Sequence, residues 1–484
     1  MKNIRTIFFF WIAVSFFVSC QSNQHEKADS NNQKPNIIFI LADDLGYGDL
    51  GITGQSKIET PNLDKLAKEG MLFTNHYSGS TVCAPSRSAL ITGLHTGHTS
   101  VRGNYEVKPE GQYPMPDTLL TMGRMFKKAG YATGAFGKWG LGFIETTGDP
   151  NNQGFDQFFG YNCQRYAHRY YPEYLWENNQ KVYLDGNDWS NKVTYAPEII
   201  HIESLKFLEK NKSNPFFMFV PIVIPHAELA VEEGVLLQKY REKFGNEKEH
   251  VSPKGGDYGP DMNIPGYQSV KYPRATYAAM VEDLDRQVGD IIKKLEMLGI
   301  RDNTIIVFAS DNGPHREGGN DPDFFNSNGI YRGYKRDLYE GGIKTSMIAN
   351  WPGKIEAGAI SEHISAFWDL MPTFAELIGQ EIEESIDGIS FAPTLLGNAD
   401  QPKHDYLYWE FVEQGGKQAI RKGDWKAVRL NVKKEKNAPI ELYNLIEDPS
   451  ESKNIADLHP DIVQEMAGLF KEAHVPNSVF KLFE

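Results

Sequence analysis

Four apolar runs along the chain follow one pattern. Asn36 to Ala42 is continuous and rich in β-branched residues, and it ends on Asp43-Asp44. Tyr131 to Phe136 ends on Gly137-Lys138, Pro215 to Ile224 on Pro225-His226, and Asn303 to Ala309 on Ser310-Asp311-Asn312. Runs that are apolar on both faces predict buried parallel strands. Each delivers polar residues at its C-terminal end, where open α/β sheets bind ligands. Helical periodicity and capping residues fill the intervals. Thr60-Pro61 to Gly70 has an N-cap, a Pro at the first position and a terminal Gly. Asp117 to Gly130 is predicted as a second helix, with Leu119, Leu120, Met122, Met125 and Phe126 on its apolar side. Glu198 to Lys210 is a third. Arg274 to Leu298 is the longest, with Met280, Val281, Leu284, Val288, Ile291, Ile292 and Leu295 on its apolar side. The alternation predicts an α/β fold: a large, mostly parallel sheet sandwiched by helices.

Beyond Trp368 the pattern shortens. Tyr406 to Phe411, Lys417 to Arg421, Asp424 to Leu430 and Ile440 to Leu445 read as short strands between turns, and Leu458 to Ala473 as a closing helix. This predicts a smaller C-terminal antiparallel α+β domain over residues 399–484, after a larger domain over 36–398. Two insertions interrupt the larger domain. Phe158 to Trp189 is crowded with aromatic residues, and Val231 to Tyr272 is rich in Gly, Pro and charge. Long loops at the ligand end of such a sheet shape the pocket. Aromatic faces suit the apolar face of a sugar, with Arg165, His168 and Arg169 available for its hydroxyls or a carboxylate. The alternative is a surface loop packed on itself.

The first residues lie outside this scheme. Lys2 and Arg5 precede an apolar run from Thr6 to Val18, too short to span a bilayer but right for a signal segment. Phe17-Val18-Ser19-Cys20 resembles a bacterial lipoprotein signal. Residues 1–19 are then a signal peptide, residues 20–35 a polar tether, and Cys20 the point of a lipid anchor to the membrane. That expectation places the chain in the periplasm or on the cell surface of a bacterium; plain cleavage and secretion is the alternative. The net charge of −14 over 484 residues excludes nucleic acid as the partner, so a site for an anionic ester must be built locally from a few cations.

One stretch carries the chemistry: Val82-Cys83-Ala84-Pro85-Ser86-Arg87-Ser88-Ala89-Leu90-Ile91-Thr92-Gly93. Pro85 fits the first helical position, which puts Cys83 at the positive end of a helix with Arg87 one turn on. On spacing alone, a structural cysteine beside a capped helix fits as well as a reactive one. The pattern Cys-x-Pro-Ser-Arg-x-x-x-x-Thr-Gly resembles the signature of the type I, formylglycine-dependent sulfatases. In that family a maturation enzyme oxidises the cysteine to Cα-formylglycine, whose hydrate attacks the sulfate ester. Further blocks extend the resemblance along nearly all of the mature chain. They are Gly137-Lys138-Trp139, Ile224-Pro225-His226, Arg332-Gly333-Tyr334-Lys335, Tyr339-Glu340-Gly341-Gly342, Trp351-Pro352-Gly353, Ala419 to Lys426 and Glu441 to Leu445. The resemblance implies an alkaline-phosphatase-like fold. Cys163 is left without a partner if Cys20 is lipidated and Cys83 converted; a Cys83–Cys163 disulfide is the rival, and it would abolish this chemistry.

Asp43, Asp44, Asp311 and Asn312 come from two strands far apart in sequence. Carboxylates converging there repel one another unless a hard cation sits among them, and oxygen donors favour Ca²⁺, with Mg²⁺ second, over zinc. The set resembles the sulfatase calcium site, which the residue at position 83 completes. By the same resemblance Arg87, Lys138, His226 and Lys335 surround the sulfate, and His226 and Lys335 serve the leaving alcohol. Two departures stand out. Gly140 replaces the histidine usual two residues after the lysine, so that Asp311 or a water must act when sulfate is expelled. Lys344-Thr345-Ser346 replaces the more usual Arg-Val-Pro. The expected substrate is a sulfated carbohydrate, of glycosaminoglycan, mucin or algal glycan type, with Asn104, His168 and His315 as its contacts. The alternatives are a phosphate or phosphonate monoester hydrolase of the same superfamily, and a non-catalytic lipoprotein that binds sulfated glycan.

Overall fold

The computed structural model describes residues 34–108, 110–188, 191–252 and 267–484. The signal segment, most of the tether, Trp189 and the middle of the second insertion lie outside them. Residues 34–484 form one compact unit.

In chain order the strands of the large sheet are β1 (Asn36–Ala42), β2 (Met71–Tyr77), β3 (Ala132–Lys138), β4 (Gln157–Tyr161), β5 (Tyr174–Glu177), β6 (Gln180–Tyr183), β7 (Phe216–Pro221), β8 (Thr304–Ser310), β9 (Lys344–Asn350), β10 (Ala359–Ser361) and β11 (Ser365–Ala366). They lie in the order β10-β2-β9-β8-β1-β7-β3-β4-β5-β6, with β11 paired to β2. The centre, β8-β1-β7-β3-β4, is parallel. β9 is antiparallel to both β8 and β2, and the β5–β6 hairpin adds antiparallel strands beyond β4. All of β1 is buried, with its side chains alternating between two cores. Ile38 and Ile40 face helices α1 (Pro61–Lys68), α4 (Ala196–Asn211), α5 (Val235–Phe244) and α6 (Pro273–Met297); Ile37, Phe39 and Leu41 face α2 (Cys83–Thr92) and α3 (Met122–Lys128). A strand buried on both faces has no polar side to present to water, which is why these runs read as unbroken apolar sequence.

Several boundaries differ from expectation. The helix expected from Asp117 starts at Met122. Thr121 Oγ1 caps it by accepting from Arg124 N, while the Arg124 guanidinium ties down the Asp117 and Leu119 carbonyls outside the helix. Pro85 occupies the third position of α2, not the first, because the helix begins at Cys83. The aromatic insertion is not a loop. Its beginning lies in β4, its middle supplies β5 and β6, and Tyr161, Tyr166, Tyr170 and Tyr171 are buried in the core. The second insertion contains α5. Strands β2 and β9, which the sequence reading did not single out, complete the sheet.

A second, four-stranded antiparallel sheet runs β12 (Leu407–Phe411), β13 (Lys417–Lys422), β14 (Trp425–Leu430), β15 (Ile440–Asn444) in sequential order. The helix Pro460–Glu472 covers one face through Met466 and Phe470. The other face, with Trp409, Ala419 and Val428, packs on Tyr77, Ala89 and Trp368 of the larger core. That junction also buries charge. Lys426 Nζ lies 2.8 Å from Glu340 Oε1 and 3.6 Å from Glu451 Oε1, and the Tyr77 hydroxyl donates to Glu340 Oε2 at 2.6 Å. Lys426→Ala leaves two buried carboxylates facing each other, and we expect a loss of about 3–5 kcal/mol in urea unfolding. The exposed pair Lys422–Glu465 serves as control: Lys422→Ala is expected to change stability by no more than about 0.5 kcal/mol.

Candidate active site

The C-terminal ends of β8, β1, β7 and β3 lie side by side, and α2 points its N-terminus at them. Backbone geometry at Asp44 makes the acidic pair usable. Its φ of 65° is left-handed, a region that Asp tolerates better than most residues. The turn lets two consecutive carboxylates reach the same space, whereas a continuing strand would send them to opposite faces. Asp44 N donates to Asp311 Oδ1 at 3.1 Å and Asn312 Nδ2 to Asp44 Oδ1 at 2.7 Å, which joins β1 to β8.

Cys83 lies at the centre. Its Sγ is 3.4 Å from Asp43 Oδ1, 3.4 Å from Lys138 Nζ and 3.8 Å from Lys335 Nζ. Lys138 Nζ also donates to Asp43 Oδ2 at 2.7 Å, and Lys335 Nζ to Asp44 Oδ2 at 2.8 Å. Arg87 donates from Nε and Nη2 to Asp311 Oδ2 at 3.2 and 2.9 Å, reaches Asp43 Oδ2 at 3.2 Å, and holds the Lys138 carbonyl through Nη1. His226 donates from Nδ1 to the Ala227 carbonyl, so its Nε2 lone pair accepts from Lys335 Nζ at 2.9 Å. Burial works against every charge here. It pushes the Asp43 carboxyl up, but the fields of Lys138 and Arg87 contribute to an opposing effect that holds it well below its ordinary value. Burial and then Asp43 raise Asp311 to about 7, against the opposing pull of Arg87. Burial and then Asp43 also push the Cys83 thiol well above its ordinary value, and burial keeps His226 neutral.

The structure therefore brings together Asp43, Asp44, Cys83, Arg87, Lys138, His226, Asp311, Asn312 and Lys335. The expected sugar contacts divide. Asn104 Oδ1 accepts from Ala84 N at 3.1 Å, capping α2 next to Cys83. The His168 ring stacks on His226 at 4.7 Å. His315 is a correction: it is fully buried behind His226, accepts from Glu317 N at Nδ1 and donates to the Pro225 carbonyl from Nε2, so neither nitrogen is free for a sugar. Arg169 is likewise buried against Glu228, and Arg165 pairs with Glu106 at 2.7 Å. Cys83 and Cys163 are both unpaired thiols, which removes the disulfide alternative. Sequence reasoning missed Ser86, whose Oγ donates to the Asp311 carbonyl at 2.5 Å, and the end of β4, where Asn162 and Gln164 are buried. The signal for β4 was the apolar Phe158-Phe159 pair, hidden among the aromatics that follow it.

The chain resembles known proteins along most of its length. The Sulfatase family model matches residues 35–380, and a model of the C-terminal region of N-sulphoglucosamine sulphohydrolase matches 329–473. The chain is similar to N-acetylgalactosamine-6-O-sulfatase of Bacteroides thetaiotaomicron, at 30% identity over 97% of this chain and 99% of that one. Human N-acetylgalactosamine-6-sulfatase is 31% identical over 75% of this chain and 66% of its own. Among solved structures, Ps i-CgsB in complex with k-i-k-neocarrahexaose superposes with a TM-score of 0.73, at 28% identity over 91% of this chain and 92% of that chain.

The donor set suits a hard divalent cation. Asn312 Oδ1 is buried without a hydrogen-bond partner, and with the carboxylates of Asp43, Asp44 and Asp311 it makes an all-oxygen donor set. Asp43, Asp44, Asp311 and Asn312 would hold the ion, with position 83 beside it. Adding Ca²⁺ to chelator-treated protein at 100 times its Kd is expected to stabilise the fold by about 2.7 kcal/mol, read as a rise in Tm. Asp44→Ala should abolish the rise. The raised Asp311 carboxyl is protonated below about pH 7 in the metal-free protein, so the cation must displace a proton there. Apparent affinity should fall as pH drops through that value, with proton release measurable by titration calorimetry in buffers of different ionisation enthalpy.

Proposed function

Because the chain belongs to the sulfatase family, we propose that it removes sulfate from a sulfated carbohydrate, with Cys83 matured to formylglycine and Ca²⁺ held by Asp43, Asp44, Asp311 and Asn312. One observation carries this reading: Cys83 sits at the N-terminus of a buried helix, amid carboxylates and cations, where its thiol is pushed away from the thiolate form. An unmodified thiol is a poor nucleophile in such a place. The hydrated aldehyde of formylglycine would supply one hydroxyl to attack sulfur and a second to release sulfate, and bound calcium would supply positive charge to the sulfate oxygens.

The remaining roles belong to side chains. Lys138 and Lys335 offset charge on the sulfate, while Arg87 fixes Asp311, Asp43 and the Lys138 carbonyl relative to one another. In the Lys335–His226 pair the proton resides on Lys335 Nζ, so the leaving alcohol takes its proton from Lys335, directly or through His226 Nε2. For the step that releases sulfate, Asp43 lies nearer position 83 than Asp311 does, but its carboxyl is held well below its ordinary value, which leaves a water as the base. Asp43 Oδ1 faces position 83 at 3.4 Å, whereas both Asp311 oxygens are taken by Arg87 and by Asp44 N. The relatives named for N-acetylgalactosamine 6-sulfate, and the structure in complex with k-i-k-neocarrahexaose, favour a sulfated galactose-type polysaccharide of glycosaminoglycan or algal class.

The test is free-sulfate release from defined sulfated mono- and disaccharides, with an aryl phosphate assayed in parallel. Mass analysis should show position 83 as the aldehyde, and Cys83→Ala should lower turnover by roughly 10³-fold or more. An intact thiol in fully active enzyme would refute the mechanism. Faster hydrolysis of the phosphate would favour the phosphate-ester alternative, and glycan binding without turnover the non-catalytic one. Export and lipid anchoring through Cys20 are part of the same proposal. In the native host, Cys20→Ala is expected to move the protein from the membrane fraction to the soluble one.

A further inference from the structure

Resting on the sulfatase reading above, we infer that Gln164 is a substrate-positioning residue whose carboxamide lines the cavity around position 83 and donates a hydrogen bond to the oxygens of the sulfate group.

The first support is topological. β4 is a fifth parallel strand, and its end lies beside that of β3, with Lys138 opposite Tyr161. The two chains stay paired beyond the strands: Trp139 N donates to the Tyr161 carbonyl at 2.9 Å and Gly140 N to the Asn162 carbonyl at 3.1 Å. From Asn162 the chain passes Gln164 and reaches His168, which stacks on His226. The segment thus spans from the lysine on one side of Cys83 to the histidine on the other. An outer support closes the circle. Gln112 Oε1 accepts from Gln164 N at 3.2 Å, and Gln112 belongs to the loop whose Asn104 caps Ala84. Contacts therefore run from Cys83 through Lys138, Gly140 and Gln164 to Gln112, and the loop between Gln112 and Asn104 leads back to Ala84 beside Cys83.

The second support is an unmet hydrogen-bond requirement. Gln164 is only 5% exposed, yet its Nε2 has no partner; Asn162 is fully buried with neither amide atom paired. Buried amide groups in folded proteins are paired almost without exception, so a donor held in this position calls for a ligand acceptor. Position 140 explains how the amide comes to be there. A Cβ on Gly140 would lie 2.6 Å from Gln164 Nε2, and the residue has φ of +78°. Glycine at 140 is what leaves room for the Gln164 side chain. An amide from the neighbouring strand thereby occupies the space in front of position 140. Unlike an imidazole, it donates a hydrogen bond at every working pH and transfers no proton. Its partner on this reading is a tetrahedral sulfur oxyanion, free or esterified.

Two variants test the assignment. Gln164→Glu keeps the shape but replaces the donor with a carboxylate facing an anion. We expect kcat/KM for the sulfate ester to fall about 100-fold near pH 8, mainly through KM, and to recover partly toward about pH 5 as the new carboxyl takes up a proton. Gln164→Ala should raise KM about 10-fold with an unchanged pH profile. A readout without turnover separates this inference from the function proposed above: inorganic sulfate should raise the Tm of Cys83→Ala protein, and adding Gln164→Glu should abolish the rise. The inference is overturned if both variants keep KM and sulfate protection within about twofold of their parents, or if Tm and kcat fall while KM and pH profile stay put. Formylglycine-bearing wild type that releases no sulfate would refute the proposed function, and the sulfate-protection arm would still decide the role of Gln164.

Discussion

Everything at the carboxyl edge of the sheet depends on holding three carboxylates and three permanent cations within a few ångströms of one another, out of contact with water. Moving such groups from water costs several kcal/mol each, and their mutual attraction repays that only when geometry is tightly held. At an effective dielectric constant near 20, a single pair at 4 Å gains about 4 kcal/mol, so no one contact suffices and the set must act together. This explains features that would otherwise look unrelated. Helix α2 is buried along its whole length, so Arg87 cannot swing into solvent. Ser86 clamps the Asp311 carbonyl, and Leu45 N donates to Ser310 Oγ, so the ends of β1 and β8 stay in register.

The same constraint accounts for the second sheet. α2 and Tyr77 lie between the parallel sheet and the antiparallel one, and the buried Lys426 is shared between Glu340 and Glu451 beneath them. Glu340 follows Lys335 by five residues, at the start of a short helical turn over Glu340–Ile343. A charge cluster at the junction thus anchors the segment that brings Lys335 to Asp44. The C-terminal sheet is part of the active-site scaffold, not an independent appendage.

Much of this was legible in the sequence because the physics is local. An unbroken apolar run ending on polar residues specifies both a buried parallel strand and the position of its chemistry, which is how Asp43, Lys138, His226 and Asp311 could be placed together before any coordinates. Departures arose where tertiary contacts outweighed local signals. The Asp117 helix start lost to Thr121 because Arg124 offered the intervening carbonyls another partner. His315, near Asp311 in sequence, turned inward because two backbone groups claimed its nitrogens. The aromatic insertion looked like a sugar platform from its composition, but six of its rings are buried, and among the described residues only the Tyr174–Tyr183 margin reaches solvent. Composition alone does not distinguish a tyrosine that packs from one that binds.

On the function proposed above, the strand ends supply the groups that meet the sulfate, and they do not by themselves choose the sugar bearing it. The choice falls to segments that touch the reactive groups without being strands. Two of these, around 104–112 and 162–168, rest on each other through Gln112 and Gln164 and through Glu106 and Arg165. One fixes Asn104 beside position 83, and the other carries Gln164 and brings His168 against His226. Because they share contacts, each segment helps to hold the other in place. The segment proposed to hold the sulfate and the segment that caps α2 beside position 83 are therefore joined by direct contacts.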